Sequence, residues 1–281
     1  MGTPWDRAAR AYLEAWVPRF LPYHTDLVRE LSLKEGARVF VSNAGPGTEV
    51  VAAARAVGPT GHVRAIDRSH EMVTICRENV TRAAVANVAT VDDGDAEDTA
   101  GGPWDAVLCA FGLWQLPERG RVLSTWSKAL DANGKLGIVT WGPSEASSPF
   151  ELLRSSLHEL EPGVHDPDPN IPSTREAMNT MFENSGLVMV RHTVVRHTIT
   201  FRTAEDFVRA MTHGCVLRRS FEDIGEERMT KVAAHFYGKV GGPETPLSFD
   251  PPATIAIACL PGAEVELEHR PSIRVPAAPK A

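Results

Sequence analysis

The feature that most restricts the fold of this chain is the alternation, through its first half, of short apolar runs with longer segments of helical pattern. Arg38–Ser42, Gly61–Ile66, Val88–Val91, Asp105–Ala110 and Lys135–Trp141 read as strands. Thr48–Val57, Ser69–Ala84 and Arg119–Leu130 read as helices, with Ser69 a candidate N-cap whose hydroxyl is in reach of the first-turn amides. Asp131-Ala132-Asn133-Gly134 is a turn signal ahead of the fifth strand. Strands separated by helices lie parallel, because a crossover long enough to return to the same edge is needed between them. An α/β sheet with helices on both faces is therefore predicted. Two later strands, Val188–Phe201 and Ala253–Leu260, follow the long amphipathic stretches 143–186 and 203–242. These stretches exceed plain connections. They are predicted to cap the carboxyl edge of the sheet, where open α/β sheets take their ligands.

Charge and cysteine usage narrow the function classes. The 29 basic residues against 36 acidic ones give a net charge of −7, and the densest basic stretch is the pair Arg218-Arg219. Phosphate-backbone affinity comes from clustered Lys and Arg, so no nucleic-acid partner is expected. Cys76, Cys109, Cys215 and Cys259 form no C-x-x-C pair, which suits neither a zinc site nor a disulfide framework. Asp92, Asp93 and Asp95 are too few and too close for a metal cluster, and no metal is predicted. Met1–Arg10 lacks an apolar signal core, and no apolar run is long enough for a bilayer. A reduced, cytoplasmic protein with no membrane partner is the expectation.

The chemistry points to Asn43-Ala44-Gly45-Pro46-Gly47-Thr48-Glu49, between the first strand and the first helix. Gly45 and Gly47 permit a sharp turn and close approach of a ligand to the backbone, and the helix start beyond them offers free N–H groups. On its own a Gly-x-Gly is a turn; its neighbours make it a site. Asp67 closes the second strand, where a carboxylate can accept from both hydroxyls of a ribose. Asp95 and Ala96 follow the third strand, where a side-chain acceptor and a backbone donor suit an adenine edge. A nicotinamide fingerprint would need glycine at position 50, which is Val50.

Taken together these motifs resemble the class I S-adenosylmethionine-dependent methyltransferases, close to the ubiquinone/menaquinone-type and type 11 small-molecule branch. The resemblance implies a Rossmann-like seven-stranded methyltransferase sheet, mostly parallel with an antiparallel last strand, helices on both faces and a helical cap. It implies one domain over 1–261, with a helical lid at 1–35, a cofactor-binding core at 36–142, substrate-cap insertions at 143–186 and 203–242, and a polar, partly disordered tail at 262–281. Trp5-Asp6-Arg7-Ala8-Ala9 with Tyr12 resembles the family's lid. Gly45-Pro46-Gly47-Thr48 resembles its glycine motif, and Asp67-x-Ser69-x-x-Met72 its ribose motif. Asp95-Ala96-Glu97-Asp98 resembles its adenine motif, and Trp104 through Phe111-Gly112-Leu113 its fourth strand and following loop. The cofactor residues so implied are Trp5, Tyr12, Asn43, Ala44, Gly45, Gly47, Asp67, Arg68, Met72, Asp95, Ala96 and Phe111, with S-adenosyl-L-methionine as cofactor. Two positions depart from the family: Val41 replaces its acidic residue and Asn43 its first glycine, leaving Asn43 or Ser42 to serve the methionine end.

A sulfonium methyl is already activated, so holding the nucleophile in line carries much of the rate. A general base helps where the nucleophile is protonated, and His24 and His213 are the candidates. Trp16, Tyr23, Trp114, Gln115, Trp141, Cys215 and Arg218 are the predicted substrate contacts, with Phe20 and Trp126 assigned to the core. Such aromatics suit a small apolar or cyclic, natural-product-like acceptor, as in secondary metabolism or antibiotic biosynthesis, methylated on O, N or C. The alternative is an S-adenosylmethionine-binding enzyme that cyclises or rearranges its substrate without methyl transfer. A monomer or homodimer is expected.

Overall fold

The computed structural model describes residues 3–164, 172–214 and 217–267, and the backbone of 270–274. In chain order its elements are α1 (Pro4–Ala15), α2 (Val17–Glu30), β1 (Arg38–Ser42), α3 (Thr48–Val57), β2 (His62–Asp67), α4 (His70–Arg82), β3 (Ala89–Asp93), β4 (Trp104–Ala110), α5 (Arg119–Ala129) and β5 (Leu130–Trp141). There follow α6 (Pro149–Leu160), α7 (Arg175–Glu183), β6 (Val188–Arg196), β7 (Ile199–Phe201), α8 (Ala204–Gly214), α9 (Arg218–Ile224), α10 (Glu226–Val240), β8 (Leu247–Phe249), β9 (Pro252–Cys259), β10 (Glu264–Leu267) and β11 (Arg270–Arg274). A short 3₁₀ turn, Leu113–Gln115, follows β4.

Seven strands form one sheet in the order β3-β2-β1-β4-β5-β9-β6. The pairings from β3 through β5 are parallel, and β9 runs antiparallel to both β5 and β6. The strand order reverses between β1 and β4, which places a ligand crevice beyond their carboxyl ends. Period-two alternation assigns each side chain to a face. Val39, Val41, Ala65 and Leu108 pack with α2, α3 and α4, while Phe40, Ile66, Val107 and Cys109 pack with α5 and α7. All eight residues of β9 are buried, as expected of a strand covered on both faces. The cap helices α6, α8 and α10 extend the first of these cores through Leu153, Leu157, Phe207 and Phe236.

Four boundaries differ from the sequence expectation. The stretch 143–186 is not all cap: Met178 and Phe182 of α7 pack against the sheet with Leu136, Ile138, Ala256 and Ala258. The strand expected over 188–201 is broken, with β6 in the main sheet and β7 in a separate hairpin with β8. Asp131–Gly134 does not precede β5 but bulges from it, since Leu130 pairs with Trp104 and Lys135 already pairs with Ala106. Part of the 262–281 tail forms the antiparallel hairpin β10–β11, whose Val265 packs on Cys259.

The N-terminal segment is two helices. Pro4 opens α1 at a position where its missing N–H costs nothing, and Thr3 and Asp6 make a reciprocal capping box. Helix α1 lies on α8 at backbone contact: a Cβ added at Gly214 would fall 2.9 Å from backbone atoms of Ala11 and Tyr12. No helix among the described residues is long and apolar enough to cross a membrane.

Candidate functional site

The turn after β1 is held in a conformation that a ligand can approach. Asn43 (φ +51°), Gly45 (φ +49°) and Gly47 (φ +84°) lie in the left-handed region. The Ala44 amide donates to the Ile66 carbonyl at 2.9 Å and the Gly47 amide to Ala44 at 2.9 Å. The two glycines serve different ends. A Cβ at Gly47 would meet Cys76 Sγ at 2.4 Å, so this glycine lets α3 settle on α4. A Cβ at Gly45 would meet nothing within 4 Å, so this glycine opens the backbone to space.

Asp67 fixes the loop from the end of β2. One carboxylate oxygen accepts from the Gly45 amide at 2.8 Å and the other from the Ser69 amide at 2.9 Å. Burial, with the charge of Glu49 adding to it, pushes its pKa up despite these donors. Each oxygen keeps a lone pair for a further donor. Ser69 caps α4 by accepting from the Met72 amide at 3.3 Å and donates its hydroxyl to Asp6 of α1 at 2.7 Å. Asp6 also accepts from the Glu71 amide at 3.2 Å. Although burial alone would raise it, the hydrogen bonds from Ser69, Glu71 and Thr3 hold the Asp6 carboxyl below its ordinary value. The lid helix is thus latched to the start of α4, and Met72 is buried beside Ala9, Trp5 and Tyr12.

The loop after β3 lies against the same edge. The Gly94 amide donates to the Asp67 carbonyl at 3.0 Å. Asp95 is exposed, accepts from the Glu97 amide at 3.1 Å and stands 3.8 Å from Arg68. Ala96 is buried, and its carbonyl takes the Trp126 indole N–H at 2.7 Å. An open backbone at Gly45, a carboxylate with spare lone pairs at Asp67 and a second, exposed carboxylate at Asp95 on the same edge fit a nucleoside-containing cofactor.

An aromatic line leads away from the loop. Phe111, also at positive φ (+51°), follows β4. Ring centroids run Trp114–Trp5 at 6.4 Å, Trp5–Tyr12 at 5.8 Å, Tyr12–Phe20 at 6.1 Å, Phe20–Phe111 at 5.4 Å and Phe111–Trp141 at 4.5 Å. Beside Phe111, at 5.6 Å between rings, lies His24, whose Nδ1 is 3.0 Å from Glu49 Oε2. Both members of this pair are buried, with His24 6% and Glu49 2% exposed.

The other predicted contacts divide: Tyr23 and Trp16 pack on this line, at 5.4 Å from Trp141 and 5.2 Å from Phe20 between rings, with their polar tips engaged, while His213 lies apart from it. His213 is exposed on the last turn of α8 and bonds the Arg209 carbonyl of its own helix at 2.9 Å; nothing brings it to the loop. Trp16 is fully buried, donating to the Ala210 carbonyl at 3.1 Å among Phe20, Phe150 and Phe201. Tyr23 spends its hydroxyl on the Pro251 carbonyl at 2.9 Å and the His197 backbone. Arg218 is buried, latches α9 to the lid through the Pro4 carbonyl and pairs with Glu222 of its own helix. Gln115 is half-buried beside Trp114 in the 3₁₀ turn. Cys215 lies outside the described residues. No group of three His, Cys, Asp or Glu suited to a metal occurs among the described residues.

Two residues escaped sequence reasoning. Glu49 falls on the buried stripe of α3 with Val50, Ala53, Ala54 and Val57, and a charge on an apolar stripe was the available signal. Asp6 was read only as part of the lid segment Trp5–Ala9, with no role of its own.

Comparison with known proteins agrees with this geometry. Residues 43–134 match the family model described as a methyltransferase domain. Protein-L-isoaspartate O-methyltransferase of Methanothrix thermoacetophila is 34% identical over 89 residues, which is 31% of this chain and 42%, less than half, of that relative's length. Demethylmenaquinone methyltransferase of Staphylococcus aureus is 27% identical over 187 residues, 59% of this chain and 73% of the relative. The solved structure of a S-adenosylmethionine-dependent methyltransferase from Aquifex aeolicus shares the fold with a TM-score of 0.51 at 20% identity, over 66% of this chain and 91% of that one. The sheet order, the glycine loop and these matches converge: residues 43–134 match a methyltransferase domain, and the seven-stranded sheet around them has the fold of solved methyltransferases.

Proposed function

We propose that this protein transfers the methyl group of S-adenosylmethionine to a small, apolar or cyclic acceptor. The observation that carries the reading is Asp67 gripping the Gly45 amide while Gly45 itself faces open space. That arrangement braces the tight turn from one side and leaves its other side open to a ligand. Bound S-adenosylmethionine supplies a methyl already activated by its sulfonium.

The remaining work falls to the chain. Asp67 receives the ribose, and Asp95 with the Ala96 amide the adenine. Asn43, Ala44, Arg68, Met72, Trp5, Tyr12 and Phe111 complete the cofactor's surroundings. Trp114, Gln115 and Trp141, with the neighbouring rings of Phe20 and Phe111, form the apolar wall for the acceptor and exclude water. His24 takes the acceptor's proton at Nε2. Its Nδ1 faces the Glu49 carboxylate, which favours the tautomer with the proton on Nδ1 and a lone pair on Nε2. Buried free Cys76, Cys109 and Cys259 suit a reducing, cytoplasmic setting.

Calorimetry with S-adenosylmethionine and S-adenosylhomocysteine, followed by methyl-labelled cofactor with a panel of phenolic and hydroxylated polycyclic acceptors, tests the reading. Micromolar binding and label appearing in an acceptor are expected. No binding at millimolar cofactor overturns it. Binding with an acceptor that cyclises without gaining label returns the non-methylating alternative.

A further inference from the structure

The methionine end of the site lacks the acid that the resemblance implies at position 41. Val41 is fully buried among apolar side chains. Nor do the two expected substitutes stand ready. The Ser42 hydroxyl donates to Asn43 Oδ1 at 3.2 Å, and the Asn43 side chain lies where a Cβ on Gly112 would approach within 2.6 Å. Both are engaged with each other and with the loop after β4.

A buried carboxylate stands close to the glycine turn, on another element. Glu49 stands on the first turn of α3, two residues beyond Gly47, and its side chain is almost wholly buried. Among the described residues its partner is the His24 imidazole, and no lysine or arginine pairs with it. With a neutral imidazole the pair carries a full negative charge inside the protein. Burying such a charge is costly unless something compensates it. The second carboxylate on the loop makes the demand larger: Glu49 contributes to the raised pKa of Asp67, and to those of Cys76 below the loop and Cys109 at the end of β4. The groups that feel Glu49 therefore lie around the glycine turn.

We propose that Glu49 is the counter-charge for the sulfonium of S-adenosylmethionine, a negative charge set on α3 where position 41 has none, and that it makes the site prefer the sulfonium cofactor over its thioether product. A charge within a few ångströms acts strongly where water is excluded, and only the substrate form carries the sulfonium. The preference favours exchange of product for fresh cofactor after each turnover. This rests on the reading of the loop as an S-adenosylmethionine site.

Glu49→Gln tests it, because glutamine keeps the shape and an oxygen to accept from His24 Nδ1 while removing the charge. Affinities of wild type and variant for S-adenosylmethionine and S-adenosylhomocysteine are measured by calorimetry, alongside a thermal melt. The variant is expected to bind S-adenosylmethionine about tenfold or more weakly, the scale of a lost charge-assisted contact, and the thioether no more than about threefold more weakly. Equal losses for both ligands, or no loss, overturn the proposal and leave Glu49 as a tie between α2 and α3. If Glu49→Gln does not fold, Glu49→Asp keeps the charge and should retain the wild-type preference within about threefold; losing it there also overturns the proposal. A wild type that binds neither ligand refutes the underlying reading of the site instead, so the two failures are distinct.

Discussion

The two ends of the proposed cofactor site are built in different ways. At the adenosine end, Asp67 is set by amides at positions 45 and 69 and Asp95 by the amide of Glu97; recognition there is local, a matter of loops directly after β2 and β3. At the methionine end, the buried pair of His24 and Glu49 joins two helices that meet only in the folded protein. The difference separates a geometry copied by short sequence motifs from one assembled by tertiary packing. On the readings proposed above, the first region binds the part common to cofactor and product and the second responds to their difference in charge.

The largest test of that contrast is Asp67→Ala. It removes the ribose acceptor and frees two amides that hold the loop, so S-adenosylmethionine and S-adenosylhomocysteine should both bind about 100-fold more weakly, by calorimetry. A loss confined to one ligand would break the distinction between the ends. Glu49→Gln is the complementary case, with its smaller and ligand-selective loss.

Next come the two glycines. Gly47→Ala forces a Cβ against Cys76 Sγ at positive φ and should destabilise the fold by about 2–4 kcal/mol in denaturant melts. Gly45→Ala carries only the backbone strain, about 1–2 kcal/mol, yet it fills the open cradle and should impair cofactor binding more than stability.

Acidification gives a subtler probe. The Asp67 pKa is raised by burial, so as pH falls the unliganded fold gains by protonating it at a pH above the ordinary carboxylate range. A ribose hydroxyl needs the ionised acceptor. Affinity for S-adenosylhomocysteine should therefore fall with pH through that raised range, and Asp67→Asn should weaken binding while abolishing the dependence, read by calorimetry across a pH series. The smallest effect is expected of His213→Ala, which should leave stability within about 0.5 kcal/mol and labelled-methyl transfer unchanged.

How much of this was legible from the chain follows the same division. The strand–helix alternation and the adenosine-end residues are adjacent to the elements that position them, so periodicity and turn chemistry reveal them. Ser69 as the cap of α4 is of this kind. The α7 boundary was not legible, because an amphipathic helix looks the same whether its apolar face meets a sheet or a cap. The Trp16 and Tyr23 rings could not be told from substrate contacts, since only the fold shows their polar tips already engaged by the carbonyls of Ala210 and Pro251. Glu49 and His24 are 25 positions apart, and nothing in spacing announces such a meeting.

The close approach at Gly214 has a consequence for how the N-terminal helices are held. Where α8 meets α1 there is no room for even a methyl group, so the two backbones pack as one layer. Asp6 anchors α1 to Ser69 at the start of α4, and the contact at position 214 extends that anchorage to α8. A residue larger than glycine at position 214 would push α1 off α8 and strain the Asp6 latch, a local crowding felt two elements away.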